Sequence, residues 1–476
     1  MKKIMKNYLT LPRGKKVWDH QEAAFNKVVG RVGGMLAMGM RTGKTLVGVA
    51  LTTHYAAKRI LVLAPLNGMG VWERDFPLSV LDYPVLLLDK PGTKNKVKQF
   101  ENFNYGVVVI NWEAAWRSPL CDSIIAARFD LVIYDEIHRI KAPGGKASKF
   151  CSRLKSHIPK RLGLTGTLMP NSPLDVYAQF RALDVSIYGT NNNEFKSQYC
   201  DMEQLKLKKP LIGKYGKNKG KMINEVSVLK NYKNMKEFAA RMAKITYTCE
   251  LDDVIKDIPP LVHEEICFTL PPKARKIYDG MKNELVAWLG SGERITAANV
   301  LVKTLRLQQI ICGHSKDEND KVIIFDDTKE KILYDFLLDV PANQPVCVYC
   351  VFKEDLKAVE RVAVKLGRKY GEVSGARKDI TDDAKMPDWV DLYGIQIKSG
   401  KEALDFSRAS IGVFYSVNHS SGDFQQACAR QRNPDKKNRV ALYHIIARNT
   451  IGRTVYTALT NKKNLADEIT KHLKEG

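Results

Sequence analysis

Short apolar runs, each followed by a segment of helical periodicity, dominate the first third of the chain. The runs, which we predict to be strands, are Arg59–Pro65, Gly106–Asn111, Asp130–His138 and a fourth that starts at Arg161 and ends in Thr165-Gly166-Thr167. The predicted helices are 17–29, 46–57 and a segment from about Gly70. Apolar strands without polar alternation, separated by helices, are typical of a parallel sheet covered on both faces. Ligands bind such sheets at the carboxyl ends of the strands.

The same alternation returns in the last third of the chain. Predicted strands are Pro345–Phe352, YGEVSG from Tyr370, DLYGIQIKSG from Asp391 and SIGVFYSVN from Ser410, with a helix at Lys353–Leu366. The middle of the chain is largely helical in its periodicity. The pattern therefore predicts an α/β protein with two parallel-sheet lobes at 1–183 and 329–476, and an insertion at 184–328.

Charge and composition narrow the possible partners. The 476 residues carry 76 Lys and Arg against 52 Asp and Glu, a net charge of +24, which indicates a polyanionic partner. The charged N-terminus is not followed by the apolar core of a secretion signal, and no apolar run is as long as a membrane span. We therefore expect a soluble, cytoplasmic protein without a membrane partner.

A glycine-containing loop at Leu36–Gly48 has the chemistry of a phosphate-binding loop. Gly43 lets the backbone approach phosphate, Lys44 suits the β- and γ-phosphates, and the Thr45 hydroxyl suits Mg²⁺. The usual pattern has four residues between its glycines, whereas only three separate Gly39 from Gly43. A glycine turn before a helix is the alternative. The predicted nucleotide contacts in this region are Gln21, whose amide would read adenine, and Arg41, Thr42, Gly43, Lys44 and Thr45.

An acidic pair follows the third predicted strand. Carboxylates at the end of a buried strand are costly without a partner, and the nearby phosphate loop makes Mg²⁺ the expected one. Asp135 would hold the metal through water, with the Thr45 hydroxyl as a second metal-binding group, and Glu136 would orient or deprotonate the attacking water. At the next strand end, Thr165-Gly166-Thr167 could sense the γ-phosphate, although this sequence is also an ordinary tight turn.

The order of these motifs resembles the superfamily 2 helicases of the SWI/SNF type. The resemblance rests on Gln21, the GKT loop, APLNGMGVWERDF, the DEIH box with RIKAPGGKASK, and LTGTLMPNSPLDVY. It implies two RecA-like lobes with a helical insertion between them, and a nucleic-acid-stimulated ATPase that uses ATP and Mg²⁺. The family usually has a glycine at the place of Arg41 and an acidic residue at that of Met38.

The resemblance extends to the second lobe. Ser399-Gly400 with Asp405 is similar to a motif that contacts DNA and nucleotide, and Gln426 and Arg430 have the spacing of the last family motif. A second arginine, Arg432, follows after two residues rather than three. Arginine suits the charge on transferring phosphoryl oxygens. Either Arg430 or Arg432 is therefore the expected arginine finger, with plain surface charge as the alternative.

The remaining candidate residues concern coupling and nucleic-acid binding. Predicted coupling residues are His138, Thr165, Gly166, Thr167 and Gln426. Predicted nucleic-acid contacts are Pro65, Asn67, Asn111, Asn171, Ser399 and three lysines, Lys206, Lys208 and Lys209, of the basic segment Lys206–Lys221, which we predict to be an exposed loop.

The resulting hypothesis is a monomeric, ATP-dependent DNA translocase or helicase that acts on double-stranded, forked or branched DNA, including branch migration. Two alternatives stay open at this stage. One is an RNA-directed helicase, because contacts to sugars cannot be read from the sequence. The other is a nucleic-acid-binding protein that uses ATP only as a clamp. A small-metabolite kinase would explain the loop but neither the charge nor the second sheet.

Overall fold

The structure is a computed structural model that describes residues 4–170, 172–212, 222–255, 260–290, 305–317, 319, 321–381, 384–398, 404–418, 420–433 and 438–461. The chain forms two compact units, one within Met1–Val254 and one within Ile255–Lys463. Each unit contains one parallel sheet. The predicted α/β fold with two parallel-sheet lobes is confirmed.

The first unit is built on a parallel sheet. Its strands are β1 (Gly33–Met38), β2 (Arg59–Ala64), β3 (Val85–Leu87), β4 (Gly106–Asn111), β5 (Leu131–Asp135), β6 (Lys160–Thr165), β7 (Cys200–Ile212), β8 (Met222–Tyr232) and β9 (Thr246–Cys249). Within the described residues, seven of these strands form one sheet in the order β3-β4-β2-β5-β6-β1-β9. All neighbouring pairs in this sheet are parallel.

Helices cover both faces of this sheet. They are α1 (Asp19–Val28), α2 (Lys44–His54), α3 (Met69–Asp75), α4 (Thr93–Phe100), α5 (Trp112–Ala115), α6 (Leu120–Ala126), α7 (Lys146–Leu154), α8 (Val176–Leu183), α9 (Val185–Tyr188), α10 (Asn192–Tyr199), α11 (Met235–Ala243) and α12 (Leu251–Val254). In β5, Val132 and Tyr134 enter one core cluster, whereas Leu131 and Ile133 enter the other. Because both faces are buried, the strand is apolar at every position up to Asp135.

Strand β5 is shorter than the sequence predicted. The predicted strand ran from Asp130 to His138, but the observed strand ends at Asp135. Glu136 adopts a left-handed conformation with φ +53°, and Ile137–Ile140 form a 3-10 turn. The chain therefore leaves the sheet directly after the aspartate, and this turn directs the next side chains back over the strand ends.

The basic segment in the middle of the chain is partly a strand, so the prediction of a loop over Lys206–Lys221 is wrong for its first part. Strand β7 reaches Ile212 and pairs antiparallel with β8, with Lys206 opposite Glu225. The sequence did not indicate a strand here, because lysine and proline are both uncommon in strands. Residues 213–221 of the predicted loop lie outside the described residues.

The second unit also contains a parallel sheet. Its strands are β10 (Leu261–Phe268), β11 (His314–Lys316), β12 (Val322–Ile324), β13 (Val346–Cys350), β14 (Tyr370–Val373), β15 (Leu392–Gln396), β16 (Ile411–Phe414) and β17 (Val440–Ala447). The sheet order is β10-β17-β16-β13-β15-β14, with parallel neighbours throughout. Strands β11 and β12 form a separate antiparallel pair. The helices are α13 (Pro272–Gly290), α14 (305–311), α15 (Thr328–Leu338), α16 (Lys353–Lys365), α17 (Ser421–Arg430) and α18 (Ile451–Asn461).

Two further observations bear on the overall organisation. Strand β9 pairs with β1, although it lies within the segment 184–328 that we assigned to the insertion. The three-domain boundaries stay a prediction. Among the described residues, no helix combines the length and the apolar character that a membrane crossing requires.

Candidate functional site

The loop between β1 and α2 has the backbone of an anion-binding turn. Arg41 and Gly43 have positive φ angles of 62° and 79°, and α2 begins at Lys44 directly afterwards. Among the described residues, no side chain caps this helix at Gly43. The N-terminus of α2 is therefore open to an anion such as a phosphate group.

Lys44 is hydrogen-bonded to the start of the loop and lies near the turn after β6. Its Nζ donates hydrogen bonds to the carbonyl oxygens of Met38 (2.9 Å) and Gly39 (3.0 Å). A Cβ atom added to Gly166 would lie 4.0 Å from the same Nζ. The first residue of α2 thus lies beside the Thr165-Gly166-Thr167 turn, as expected for motifs at the carboxyl edge of one parallel sheet.

Helix α1 is tied to this loop by two neighbouring side chains. His20 Nε2 lies 2.8 Å from the carbonyl oxygen of Thr42, and Gln21 Nε2 donates to the same oxygen at 3.2 Å. The Gln21 Oε1 accepts a hydrogen bond from the backbone N–H of Trp18 at 3.0 Å. Burial lowers the pKa of His20. The contact of Gln21 with adenine stays a prediction, and His20 was not singled out from the sequence.

Asp135 is held by two tryptophans that the sequence analysis did not identify. Trp72 Nε1 donates to Asp135 Oδ2 at 3.0 Å, and Trp112 Nε1 donates to the main-chain oxygen of Asp135 at 2.8 Å. Burial, together with the charge of Glu136, raises the pKa of Asp135 above its ordinary value. The larger cause is burial, which disfavours the ionised form of the carboxyl.

Glu136 is held by residues from two adjacent elements. Its Oε2 lies 3.1 Å from His138 Nδ1 and 3.4 Å from the Thr165 hydroxyl. Burial alone would raise the pKa of Glu136, but the hydrogen bond and charge of His138, together with the charge of Lys44, lower it overall. Glu136 therefore keeps its charge more readily than Asp135 does.

A hydrogen-bonded series continues from Glu136 into the turn after β6. His138 Nδ1 lies 3.0 Å from Thr165 Oγ1, which in turn accepts a hydrogen bond from the Thr167 N–H at 3.0 Å. Four of the predicted catalytic and coupling residues are thus joined through direct contacts. Such a series can transmit a change at Glu136 to the turn, because each member has a fixed partner.

The residues present fit Mg²⁺. Thr45 and Asp135 offer hydroxyl and carboxylate oxygens, the ligand type that Mg²⁺ prefers. Burial and the charge of Glu136 disfavour the ionised form of Asp135 and raise its pKa, whereas the charge of Lys44 favours the ionised form. A divalent cation beside Asp135 would favour the ionised form in the same way.

The candidate nucleic-acid contacts of the first unit lie along the same edge of its sheet. Pro65 follows β2, and Asn67 lies in the 3-10 turn Leu66–Gly68. Asn111 ends β4 and is paired in register with the last residue of β2. Its Nδ2 donates to Glu113 Oε2 at 3.2 Å. Asn171 lies outside the described residues.

In the second unit, Arg430 contacts the residues on either side of Asp405. Arg430 Nη1 donates to the carbonyl oxygen of Leu404 at 3.1 Å, and the Arg430 carbonyl accepts from the N–H of Phe406 at 3.1 Å. Asp405 Oδ1 accepts from the N–H of Ser407 at 2.8 Å. Ser399 and Gly400 lie outside the described residues.

Both candidate arginine fingers are buried in this unit, so neither is plain surface charge. Arg430 is 3% and Arg432 9% exposed, and Arg430 is the last residue of α17, which also contains Gln426. The contacts of Arg430 with the chain around Leu404 give it a structural role. Which arginine binds phosphoryl oxygens stays a prediction.

The motifs, the sheet and the geometry agree with one family. The chain belongs to the SNF2-related domain family, which matches residues 20–316. The family membership expected from the motifs is thereby confirmed.

Individual relatives are distant. An uncharacterized ATP-dependent helicase of Mycoplasma genitalium is 23% identical over 91% of this chain and 40% of its own length. A putative protein of Acyrthosiphon pisum secondary endosymbiont phage 1 is 24% identical over 92% of this chain and 94% of its own. The mouse DNA annealing helicase and endonuclease ZRANB3 is 21% identical over 93% of this chain and 39% of its own. The chain thus spans about 40% of the length of the first curated relatives that it matches.

Among solved structures, the SWI2/SNF2 ATPase core of Sulfolobus solfataricus in complex with dsDNA aligns with 98% of this chain and 97% of its own. The TM-score is 0.43 at 17% identity.

Proposed function

We propose that this protein is an ATP-dependent DNA translocase that hydrolyses ATP with Mg²⁺ and acts on forked or branched DNA. The observation that carries the proposal is the cluster of Lys44, Glu136, His138 and Thr165 at one edge of the first sheet. It combines a phosphate-binding lysine with a carboxylate of fixed orientation.

Each residue of the cluster has a chemical task in ATP hydrolysis. Lys44 and the N-terminus of α2 bind the phosphates. Thr45 and Asp135 would hold Mg²⁺, which would supply positive charge for the phosphoryl oxygens. Glu136 orients the attacking water, and its lowered pKa keeps it ionised near neutral pH. His138 and Thr165 hold Glu136 and pass its displacement to the turn at Thr167.

DNA is the proposed partner for two reasons. The net charge of +24 suits a phosphate backbone, and phosphate contacts give strong binding with little sequence preference. Named relatives include a DNA annealing helicase, which supports DNA over RNA. Contacts from Pro65, Asn67 and Asn111 would position DNA at the edge of the sheet that also holds the ATP residues.

The decisive test is the ATPase rate with and without DNA. Wild-type turnover should rise when DNA is added, and both Lys44→Ala and Glu136→Gln should lower it by about 100-fold or more. Glu101→Gln, a change at an exposed carboxylate at the end of α4, is the matched control and should retain the wild-type rate. Full turnover in Lys44→Ala or in Glu136→Gln would exclude the proposed mechanism.

The two alternatives predict different results in two further assays. An RNA-directed helicase would be stimulated more by RNA than by DNA at equal nucleotide concentration. A protein that uses ATP only as a clamp would bind ATP but show no hydrolysis in a single-turnover experiment. The proposal predicts preference for DNA and a measurable single-turnover rate.

The substrate within DNA is tested by comparing a blunt duplex, a fork and a four-way junction of equal length. A fork- or junction-processing motor should convert the branched substrates in an ATP-dependent reaction. If all three DNAs stimulate the ATPase but none of them is unwound or rearranged, the result is still compatible with translocation along DNA. It would contradict the part of the proposal that concerns forked or branched DNA.

A further inference from the structure

We propose that Trp72 is a positioning residue that fixes the carboxylate of Asp135 for Mg²⁺ through its indole N–H. This inference rests on the proposed function, because it assigns Asp135 to the metal. It adds a residue that touches neither the metal nor the nucleotide and that acts through the metal ligand alone.

The hydrogen bond has the geometry that this role requires. Trp72 Nε1 lies 3.0 Å from Asp135 Oδ2, and the whole side chain is buried. An indole has one N–H and no acceptor, so it can hold only one carboxylate oxygen. The hydrogen bond fixes the rotation of the carboxylate and leaves Oδ1 as the oxygen for a cation. Partners of this kind are known to orient metal ligands.

The indole itself cannot rotate freely, because its ring is packed against α2 inside a buried core cluster. A Cβ atom added to Gly48 would lie 3.3 Å from the ring, and the cluster also contains Ile133 of β5. Gly48 stands one helical turn after Lys44, which binds the loop carbonyls. Trp72 therefore contacts both elements that carry the predicted metal ligands, Thr45 on α2 and Asp135 on β5.

A second tryptophan provides an internal comparison. Trp112 is buried like Trp72 and also donates to Asp135, but its partner is the main-chain carbonyl oxygen at 2.8 Å. Removing the Trp112 hydrogen bond affects the main chain at Asp135 but leaves the hydrogen bond between Trp72 and the Asp135 carboxylate in place. If the role of Trp72 were packing alone, the two tryptophans would be equivalent. If it positions the carboxylate, only Trp72 affects metal affinity directly.

The experiment compares Trp72→Phe with Trp112→Phe in the full chain. The probe is a fluorescent, non-hydrolysable ATP analogue, and the readout is the Mg²⁺ concentration that gives half-maximal strengthening of analogue binding. Trp72→Phe should raise this concentration by about 10-fold or more, the usual effect of losing a partner of a metal ligand. Analogue binding without Mg²⁺ should stay within about 2-fold of wild type in both variants.

Two results would overturn the proposal. One is an equal Mg²⁺ requirement in the two variants. The other is a loss of analogue binding by Trp72→Phe that is as large without Mg²⁺ as with it. By contrast, a wild-type protein whose analogue binding does not depend on Mg²⁺ at all would contradict the proposed function itself, so the two failures can be distinguished.

The proposal can also be tested on the wild-type protein, so that it stays testable if Trp72→Phe does not fold. The chain has six tryptophans, and the indole ¹⁵N–¹H resonance of each can be followed during the addition of Mg²⁺ and analogue. Because the carboxylate that accepts its hydrogen bond would hold the metal, the Trp72 resonance should shift with Mg²⁺ more than that of Trp112. A Trp72 resonance that Mg²⁺ leaves unchanged would contradict the proposal.

Discussion

Glu136 is held in its direction by two neighbours, His138 and Thr165. The three polar groups lie within 3.4 Å of one another. A carboxylate held in this way can orient a water molecule without losing side-chain freedom at the moment of reaction. The positive φ angle of Glu136 is part of the arrangement, since it turns the chain so that His138 faces back to the carboxylate.

One prediction about single residues concerns the Thr165 hydroxyl. Thr165→Val keeps the shape of the side chain but removes the contact with His138 and Glu136, so we expect kcat to fall about 10-fold with KM for ATP within about 2-fold. Thr52→Val is the matched control, because Thr52 is equally buried and its hydroxyl donates to the carbonyl oxygen of Gly48, away from the Glu136 cluster. An unchanged kcat in Thr165→Val would exclude the coupling role.

The second prediction concerns the ionised form of Asp135. Its pKa is raised in the folded protein, so the folded state binds the proton more tightly than the unfolded state does, and stability falls as pH rises through this range. Without Mg²⁺, Asp135→Asn should therefore raise the melting temperature by about 2–4 °C at pH 8. The gain should shrink as pH falls towards 4. Melting curves at several pH values check this, and a gain that grows at low pH would contradict it.

Elements differ in how far the sequence determined them. The parallel strands were predictable because both of their faces are buried and every position must be apolar, as Leu131–Tyr134 in β5 illustrate. The hairpin of β7 and β8 was not predictable, because the lysines and the proline of β7 are uncommon in strands. The Trp72 and Trp112 contacts with Asp135 were missed because no local pattern reveals a tertiary hydrogen bond.

The hairpin leads to a prediction about DNA binding. Replacing Lys206, Lys208 and Lys209 of β7 together by Gln should weaken DNA binding and reduce the slope of log affinity against log salt by up to about 3, since each lost phosphate contact removes about 0.9. Basal ATPase activity should not change. DNA titrations at several salt concentrations measure both quantities.

The control for this variant is a set of exposed lysines elsewhere on the first unit. Lys90, Lys94 and Lys98 lie in and before α4, and their replacement by Gln removes the same charge. If the control reduces the slope as much as the hairpin variant does, the effect is one of overall charge. The hairpin would then have no specific role.

For the whole molecule, the two units have unequal roles in the proposed chemistry. The described part of the first unit contains the phosphate loop, both acidic residues and the coupling residues His138, Thr165, Gly166 and Thr167. The described part of the second contains Asp405, Gln426 and the two arginines. The first unit should therefore bind ATP and Mg²⁺ by itself if it folds alone.

The residue at which the first unit ends can be tested with fragments of the chain. Strand β9 belongs to its sheet although it lies far from the other strands in sequence. The backbone N–H of Met35 donates to Ile245 at 2.8 Å, and that of Gly39 donates to Cys249 at 2.7 Å. We expect a fragment of residues 1–254 to fold, and a fragment ending at 183 to be unstable or insoluble because the edge of β1 is exposed. Circular dichroism and thermal melting of the two fragments check this. Equal stability would mean that β9 is dispensable.

This late strand has a consequence for the order of events during synthesis. The phosphate loop is translated within the first 45 residues, but the neighbour that completes its sheet edge emerges from the ribosome only some two hundred residues later. Shortly before that point the nascent chain already contains the nucleotide-binding motifs of the first unit, but without a finished sheet edge. The first unit should therefore gain its affinity for ATP in a single late step and not gradually as each of its motifs appears.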